Sequence, residues 1–107
     1  MSLFDPIRIN GLTLPNRIVK SAMVEGLAEG GRASAGIARM YERWSRGGVG
    51  LSITGMMAVM PGCGLTGHEV YLSDDAAIEP LRQVAEAAHR HEGKVFAQIC
   101  HAPPQIG

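Results

Sequence analysis

The chain has 107 residues, of which 46% are hydrophobic, and its ten Lys and Arg balance its ten Asp and Glu to give a formal net charge of zero. This length allows one compact domain and excludes a two-domain enzyme. Balanced charge offers no surplus to attract nucleic acid or anionic lipid, and no apolar run reaches the roughly 20 residues of a membrane-spanning helix.

The amino-terminal residues show no basic region followed by an apolar one, so no secretory signal is recognisable and we expect a cytoplasmic location. The two cysteines, Cys63 and Cys100, are too few for a disulfide framework and have no close metal-binding spacing. Both are expected to be reduced thiols.

The first predicted elements are a hairpin and a strand. Residues 7–9 and 12–14 alternate apolar and polar side chains around an Asn-Gly dipeptide, which favours a tight hairpin turn. Residues 17–23 then predict the first core strand from their β-branched content, and the glycines of residues 25–36 indicate a loop.

A helix is predicted to begin after Ser34, a good capping residue, and to end at Gly47. Its apolar residues recur at helical spacing and form one stripe, namely Ile37, Met40, Tyr41 and Trp44. Residues 49–54 then predict a second strand. Residues 55–73 predict a long Gly-rich loop, of the kind that often carries function.

The second predicted helix covers residues 76–92, and the third core strand covers Lys94–Cys100. The apolar stripe of this helix comprises Ile78, Leu81, Val84, Ala85 and Ala88. An order of strand, helix, strand, helix, strand indicates parallel strands joined by right-handed crossovers. Because three strands and two helices cannot cover both faces of a parallel sheet, we expect the chain to be part of a larger α/β fold.

Several motifs have a structural and a functional interpretation. The glycines of residues 62–67 match a dinucleotide fingerprint, but no strand runs directly into them and no helix starts from them, so we reject that function. Lys20 could extend to water or meet a ligand inside a barrel. Gln98 and His101 lie at the carboxyl end of a predicted parallel strand, the edge at which α/β folds build their sites.

Several separate segments, spread over nearly the whole chain, form one combined pattern. They are Leu3-Phe4-Asp5-Pro6-Ile7, Leu14-Pro15-Asn16-Arg17-Ile18-Val19-Lys20-Ser21-Ala22-Met23, Tyr41-x-x-Trp44, Gly47-Gly48-Val49-Gly50-Leu51, Ile53-Thr54-Gly55 and Gln98-x-x-His101-Ala102. By this resemblance the sequence is similar to the opening of the Old Yellow Enzyme family of FMN-dependent oxidoreductases. The resemblance implies an eight-stranded TIM (β/α) barrel, of which residues 1–107 would form a truncated FMN-binding domain with the capping hairpin and about three β/α units.

The resemblance also implies which residues meet the cofactor. The backbone of Ser21, Ala22 and Met23 would pass along the flavin ring, and Val24 stands where the family usually has Thr or Cys. Gly55 would allow close approach of the flavin, and Gln98 would pair with the pyrimidine edge of the ring. Where the family usually has His-x-Gly-Arg, this chain has His101-Ala102-Pro103-Pro104, so we expect a different loop path beyond His101.

The activity implied by the resemblance is reduction of activated alkenes with FMN as cofactor and NAD(P)H as reductant. In the family, the residues that hold the substrate and the flavin phosphate come from later strands, so none would lie in this chain. We therefore expect no catalytic residue here, little activity of the chain alone, and association with further copies to cover its open strand edges. The alternative is a non-catalytic barrel fragment that self-associates and binds no flavin.

Overall fold

The computed structural model describes residues 2–64 and 67–101 as a parallel sheet with two helices packed on one face. The elements are β1 (Ile7–Ile9), β2 (Leu12–Leu14), β3 (Val19–Lys20), α1 (Ala35–Arg46), β4 (Leu51–Ala58), β5 (Val70–Tyr71), a 3-10 turn (Asp75–Ala77), α2 (Ile78–His89) and β6 (Lys94–Cys100). Within these described ranges, no helix has the length and apolar character needed to cross a membrane.

The predicted amino-terminal hairpin is confirmed. Strands β1 and β2 pair antiparallel, with Ile7 opposite Leu14. Asn10 and Gly11 have φ values of 46° and 89°. Both residues of a tight two-residue hairpin turn need this left-handed conformation. The hairpin forms a sheet of its own, separate from the parallel sheet.

The predicted parallel order of the core strands is also confirmed, with β4 lying between β3 and β6 and parallel to both. The first core strand is much shorter than the predicted residues 17–23, since only Val19 and Lys20 pair with β4. One cause is local. The Gly55 N–H donates to a carboxylate oxygen of Glu25 at 2.9 Å, so it is not available to extend the ladder with β3.

Strand β4 is longer than predicted, because it continues through residues 55–58, which the sequence had indicated as loop. Its pairing with β6 shifts register between Ile53 and Met56, around Gly55. A bulge of this kind inserts a residue and breaks the period-two alternation by which a strand is recognised. The predicted loop also contains β5, whose Val70 pairs with Met57.

Helix α1 matches the prediction: the Ser34 hydroxyl accepts the Ile37 N–H at 3.3 Å at its start. Helix α2 is shorter than the predicted residues 76–92 at both ends: Asp75–Ala77 form a 3-10 turn, which Asp74 caps, and the helix ends at His89. The two helices and the sheet share a buried core of Ile37, Tyr41, Met57, Val70, Val84 and Ala88. The prediction that Ile78 belongs to the buried stripe is wrong, since it is 61% exposed in the first turn of α2.

Buried Ser45 joins the two β/α units. Its hydroxyl donates to the Ala88 carbonyl at 2.6 Å and accepts the Gly93 N–H at 3.0 Å, so α1 is tied to the end of α2 and to the turn into β6. An added Cβ at Gly93 would lie 2.9 Å from the Ser45 Cβ, which explains the glycine there. This connection lies at the start of β6, at the end of the sheet opposite the carboxyl ends of the strands.

Candidate functional site

The sheet has one face covered by helices and one open face. Val95 packs against the helical core, so its neighbours Phe96 and Gln98 point to the opposite side, because side chains alternate along a strand. Their partners on β4 are Ile53 and Met56. The open face of β6 therefore presents Gln98 near the carboxyl end of the strand.

The carboxyl ends of the parallel strands form a rim at which the predicted site residues of different strands meet. Met56 is the register partner of Gln98, so Gly55 and Gln98 lie at neighbouring positions on β4 and β6. Thr54 links them: its hydroxyl accepts the Gln98 N–H at 3.1 Å and donates to the Gly55 carbonyl at 2.9 Å. We call residues 21–24 with Gly55 and Gln98 the rim.

The segment after β3 closes against Gly55. A Cβ added there would lie 2.5 Å from the Met23 carbonyl oxygen and 2.9 Å from the Val24 Cα. Gly55 was predicted to admit a flavin, whereas the backbone that comes closest to it in the structure is that of Met23 and Val24. Glycine is thus required by the packing of two strand ends, and a flavin contact at Gly55 stays a prediction.

The other rim residues present mainly accessible groups. Ser21, Met23 and Val24 are exposed and Ala22 is half-buried, with Met23 at 67%. The Gln98 side chain is also exposed. An exposed amide offers a donor and an acceptor to an imide edge, and exposed Met23 offers apolar surface to a ring, so these residues fit the ring portion of FMN. Val24 brings no side-chain hydrogen-bond donor.

Sequence analysis missed Glu25. One oxygen of its carboxylate accepts both the Gly55 N–H and the hydroxyl of Tyr41, which lies on α1. Burial raises the pKa of Tyr41 above its usual range, and the hydrogen bond to Glu25 raises it further, so the phenol stays protonated and donates. Tyr41 was predicted only as part of the core stripe. Glu25 lies in a Gly-rich segment where no local pattern indicates a partner.

Lys20 does not reach the open face. Its ammonium lies 4.5 Å from the centre of the Trp44 ring and 5.1 Å from that of Tyr41, between the sheet and α1. Burial lowers the pKa of Lys20, and the Glu25 carboxylate partly offsets this effect. The hypothesis that Lys20 meets a ligand inside a barrel is therefore wrong, because the side chain belongs to the helix-covered layer.

The remaining predicted residues are near the carboxyl ends of the strands or outside the described ranges. His101 is exposed and follows β6 directly. The two prolines predicted to redirect the chain after it, and part of the glycine motif of residues 62–67, lie outside the described residues. Cys63 and Cys100 are free thiols, as predicted.

A hairpin followed by parallel strands and covering helices, with candidate residues at the carboxyl ends of the strands, defines this chain as part of a (β/α) barrel. The sequence model of the NADH:flavin oxidoreductase / NADH oxidase family matches residues 2–106, and the chain belongs to that family. The resemblance drawn from the sequence is confirmed, and so is the fold class.

Relatives and solved structures agree with this assignment. The chain is 36% identical over 101 residues to the 4,4'-dithiodibutanoate disulfide reductase of Rhodococcus erythropolis, covering 94% of this chain and 25% of that protein. It is 37% identical over 106 residues to the NADH oxidase of Thermoanaerobacter brockii, covering 97% and 16% respectively. The Old Yellow Enzyme homologue from Zymomonas mobilis superimposes with a TM-score of 0.84 at 28% identity, covering 94% of this chain and 28% of that one. The chain thus spans between 16% and 28% of the length of these proteins.

Proposed function

We propose that this chain supplies the ring-binding part of the flavin site in an FMN-dependent NAD(P)H oxidoreductase that reduces activated alkenes. The observation that supports this proposal is the rim, where the residues assigned to the flavin by resemblance lie at neighbouring carboxyl ends of parallel strands. FMN, when bound, would supply hydride transfer, and the protein would supply binding and orientation.

Each rim residue has a defined part in this proposal. The exposed Gln98 amide would pair with the N–H and C=O of the flavin edge, while the Thr54 hydroxyl holds the Gln98 backbone through its N–H. The backbone of Ser21, Ala22 and Met23 would lie along the ring, with Val24 following it. No residue of this chain is proposed to act as an acid or base on the substrate.

The alkene substrate is the finer part of the proposal. Relatives carry the names disulfide reductase, NADH oxidase and metal reductase, so members of this family differ in the acceptor that they reduce. An activated alkene is proposed from the Old Yellow Enzyme resemblance, and NAD(P)H from the family as a whole. A cytoplasmic location is also part of the proposal, with which free thiols at Cys63 and Cys100 are compatible.

Replacing Gln98 tests the flavin site. Gln98→Leu removes the paired donor and acceptor, and we expect FMN affinity to fall by about 1–3 kcal/mol because the ring edge would lose its partner. Affinity is measured by titrating FMN and following quenching of its fluorescence. The matched control is Gln83→Leu, the same change at an exposed residue of α2, a helix on the opposite side of the sheet from the Gln98 side chain. Equal affinities of the two variants would contradict the assignment of Gln98.

The substrate class needs a separate experiment. The test uses the whole enzyme that contains this chain, because the residues that would hold the substrate are expected on later strands. With FMN and NADPH or NADH present, nicotinamide oxidation should accelerate when an α,β-unsaturated ketone is added under anaerobic conditions. Acceleration by a disulfide and not by the ketone would contradict the alkene proposal and leave the flavin site intact.

A second candidate function is a non-catalytic module that associates with further copies of itself and binds no flavin. Strand β6 supports it, because in the described part of the chain β6 pairs only with β4, while Phe96 is 47% and Ile99 64% exposed. An open apolar strand edge favours pairing with another chain. Sedimentation decides the association: a concentration-dependent oligomer that remains colourless with excess FMN would favour this candidate, and an FMN-binding monomer would exclude it.

A further inference from the structure

Below the rim, a single carboxylate joins three elements of the fold. Glu25 lies five residues after the end of β3, Tyr41 lies on α1, and Gly55 lies in β4. The same oxygen, Oε2 of Glu25, accepts the Tyr41 hydroxyl and the Gly55 N–H, the latter at 2.9 Å. The other oxygen, Oε1, would lie 2.6 Å from a Cβ at Gly55. The carboxylate is therefore packed directly against the bulge of β4.

The surroundings explain why an acidic residue occupies this place. Tyr41 is fully buried, and a buried phenol needs a hydrogen-bond partner. An ionised carboxylate accepts stronger hydrogen bonds than a neutral group. The Lys20 ammonium lies over the Tyr41 and Trp44 rings and interacts electrostatically with Glu25, which supplies the opposite charge in this layer.

Glu25 is adjacent to the rim in the sequence. It directly follows Met23 and Val24, and the backbone of these two residues packs on Gly55. Holding the Glu25 side chain on the Gly55 N–H therefore also holds the Met23 carbonyl and the Val24 Cα against β4. The Glu25 carboxylate binds the Gly55 N–H and a residue of α1. Its effect on the rim therefore passes through the backbone of the rim residues.

We propose that Glu25 is a positioning residue for the rim, whose carboxylate sets the spacing between residues 23–24 and Gly55 by binding the Gly55 N–H and the Tyr41 hydroxyl together. This inference rests on the proposed function for its consequence, which is FMN affinity. The hydrogen bond by which Glu25 holds Gly55 can be tested without a ligand.

Three variants separate positioning from general stability. Glu25→Ala removes the acceptor of both hydrogen bonds. Glu25→Gln keeps one oxygen, which can accept both bonds because they share one oxygen in the wild type. It replaces the other oxygen with an NH2 group and thereby removes the charge. The control is Ser45→Ala, which deletes a buried hydroxyl with two hydrogen bonds that tie α1 to the end of α2 and to Gly93, a connection that does not involve the rim.

Amide hydrogen exchange of Gly55, followed by NMR on the 107-residue chain, is the first measurement. In Glu25→Ala we expect Gly55 to exchange at least about tenfold faster than in the wild type, because its N–H loses its acceptor. Glu25→Gln should stay within about threefold of the wild type, and Ser45→Ala should leave Gly55 unchanged after correction for its lower global stability. Unchanged exchange of Gly55 in Glu25→Ala would overturn the proposal.

FMN titration of the same proteins is the second measurement. We expect Glu25→Ala to weaken FMN binding about tenfold, Glu25→Gln to restore most of it, and Ser45→Ala to leave it near the wild-type value at a comparable loss of melting temperature. If Ser45→Ala weakens binding as much as Glu25→Ala, the role of Glu25 is structural only and the proposal is wrong. If the wild type takes up no FMN, the proposed function fails for this chain, while Gly55 exchange still decides whether Glu25 holds the rim.

If Glu25→Ala does not fold, Glu25→Asp replaces it in both measurements. The aspartate side chain is one methylene shorter, so its carboxylate withdraws from Gly55 while the charge remains. The same tenfold faster exchange of Gly55 is expected. Exchange at the wild-type rate in Glu25→Asp would overturn the proposal equally.

Discussion

Replacing Gly55 by alanine tests how tightly the rim is packed. The new Cβ would lie 2.5 Å from the Met23 carbonyl oxygen, 2.6 Å from Glu25 Oε1 and 2.9 Å from the Val24 Cα. Two of these atoms belong to the backbone and cannot rotate away, so β4 or residues 23–24 must move. Overpacking of this kind costs about 1–3 kcal/mol, and the two backbone contacts favour the upper half of that range.

Urea unfolding followed by circular dichroism measures this cost. We expect Gly55→Ala to lower the free energy of unfolding by about 2–3 kcal/mol and the melting temperature by on the order of 10 °C. The matched control is Gly36→Ala in α1, where the nearest side-chain atom would be 3.5 Å away, an ordinary contact. That variant should gain about 0.5–1 kcal/mol from helix propensity. A Gly55→Ala protein as stable as the wild type would refute the close packing of the rim.

Two further predictions concern α1 and α2. The raised pKa of Tyr41 adds stability that is complete below pH 10, the ordinary pKa of tyrosine, and is lost as the pH rises above it, because the phenol then ionises only in the unfolded chain. The loss of unfolding free energy between pH 10 and pH 11 should therefore be smaller in Tyr41→Phe than in the wild type. Lys20, which acts in the opposite direction, is present in both proteins. An equal loss of unfolding free energy in the two proteins would contradict this account. In α2, Ile78→Ala should change the free energy of unfolding by less than about 0.5 kcal/mol and Val84→Ala should cost about 2 kcal/mol, because only Val84 is buried. Equal costs in chemical denaturation would contradict the correction made for Ile78.

Elements whose signal is local were predicted well from the sequence. The hairpin depends on the conformation of Asn10 and Gly11, and α1 depends on Ser34 and on a stripe of helical period. The bounds of β6, Lys94–Cys100, agree with the prediction because a glycine turn immediately precedes the strand. Each of these features is readable within about ten residues of sequence.

Elements that depend on distant partners were predicted less well. The extent of β3 is limited by a side chain that takes the Gly55 N–H, and the length of β4 is obscured by a bulge. Ile78 fits the helical period of its stripe, but its exposure depends on which turn of α2 the neighbouring elements cover. None of these outcomes follows from periodicity, because each is decided by contacts between elements far apart in sequence.

The candidate site shows the same division. Gln98 could be selected from its position at the end of a strand and from the family resemblance. The role of Glu25 has no local signal, since it depends on Tyr41, sixteen residues away, and on Gly55, thirty residues away. The direction of Lys20 likewise depends on the two rings of α1 that its ammonium contacts.

Mapping the amides that respond to FMN tests the central claim most directly. In NMR spectra of the isotope-labelled 107-residue chain, the account predicts saturable shifts upon FMN addition at residues 21–24, Gly55 and Gln98, with no comparable change at Gln83 of α2. Absence of shifts at the rim at saturating FMN, or shifts confined to the helix-covered face, would contradict a flavin site at the carboxyl ends of these strands.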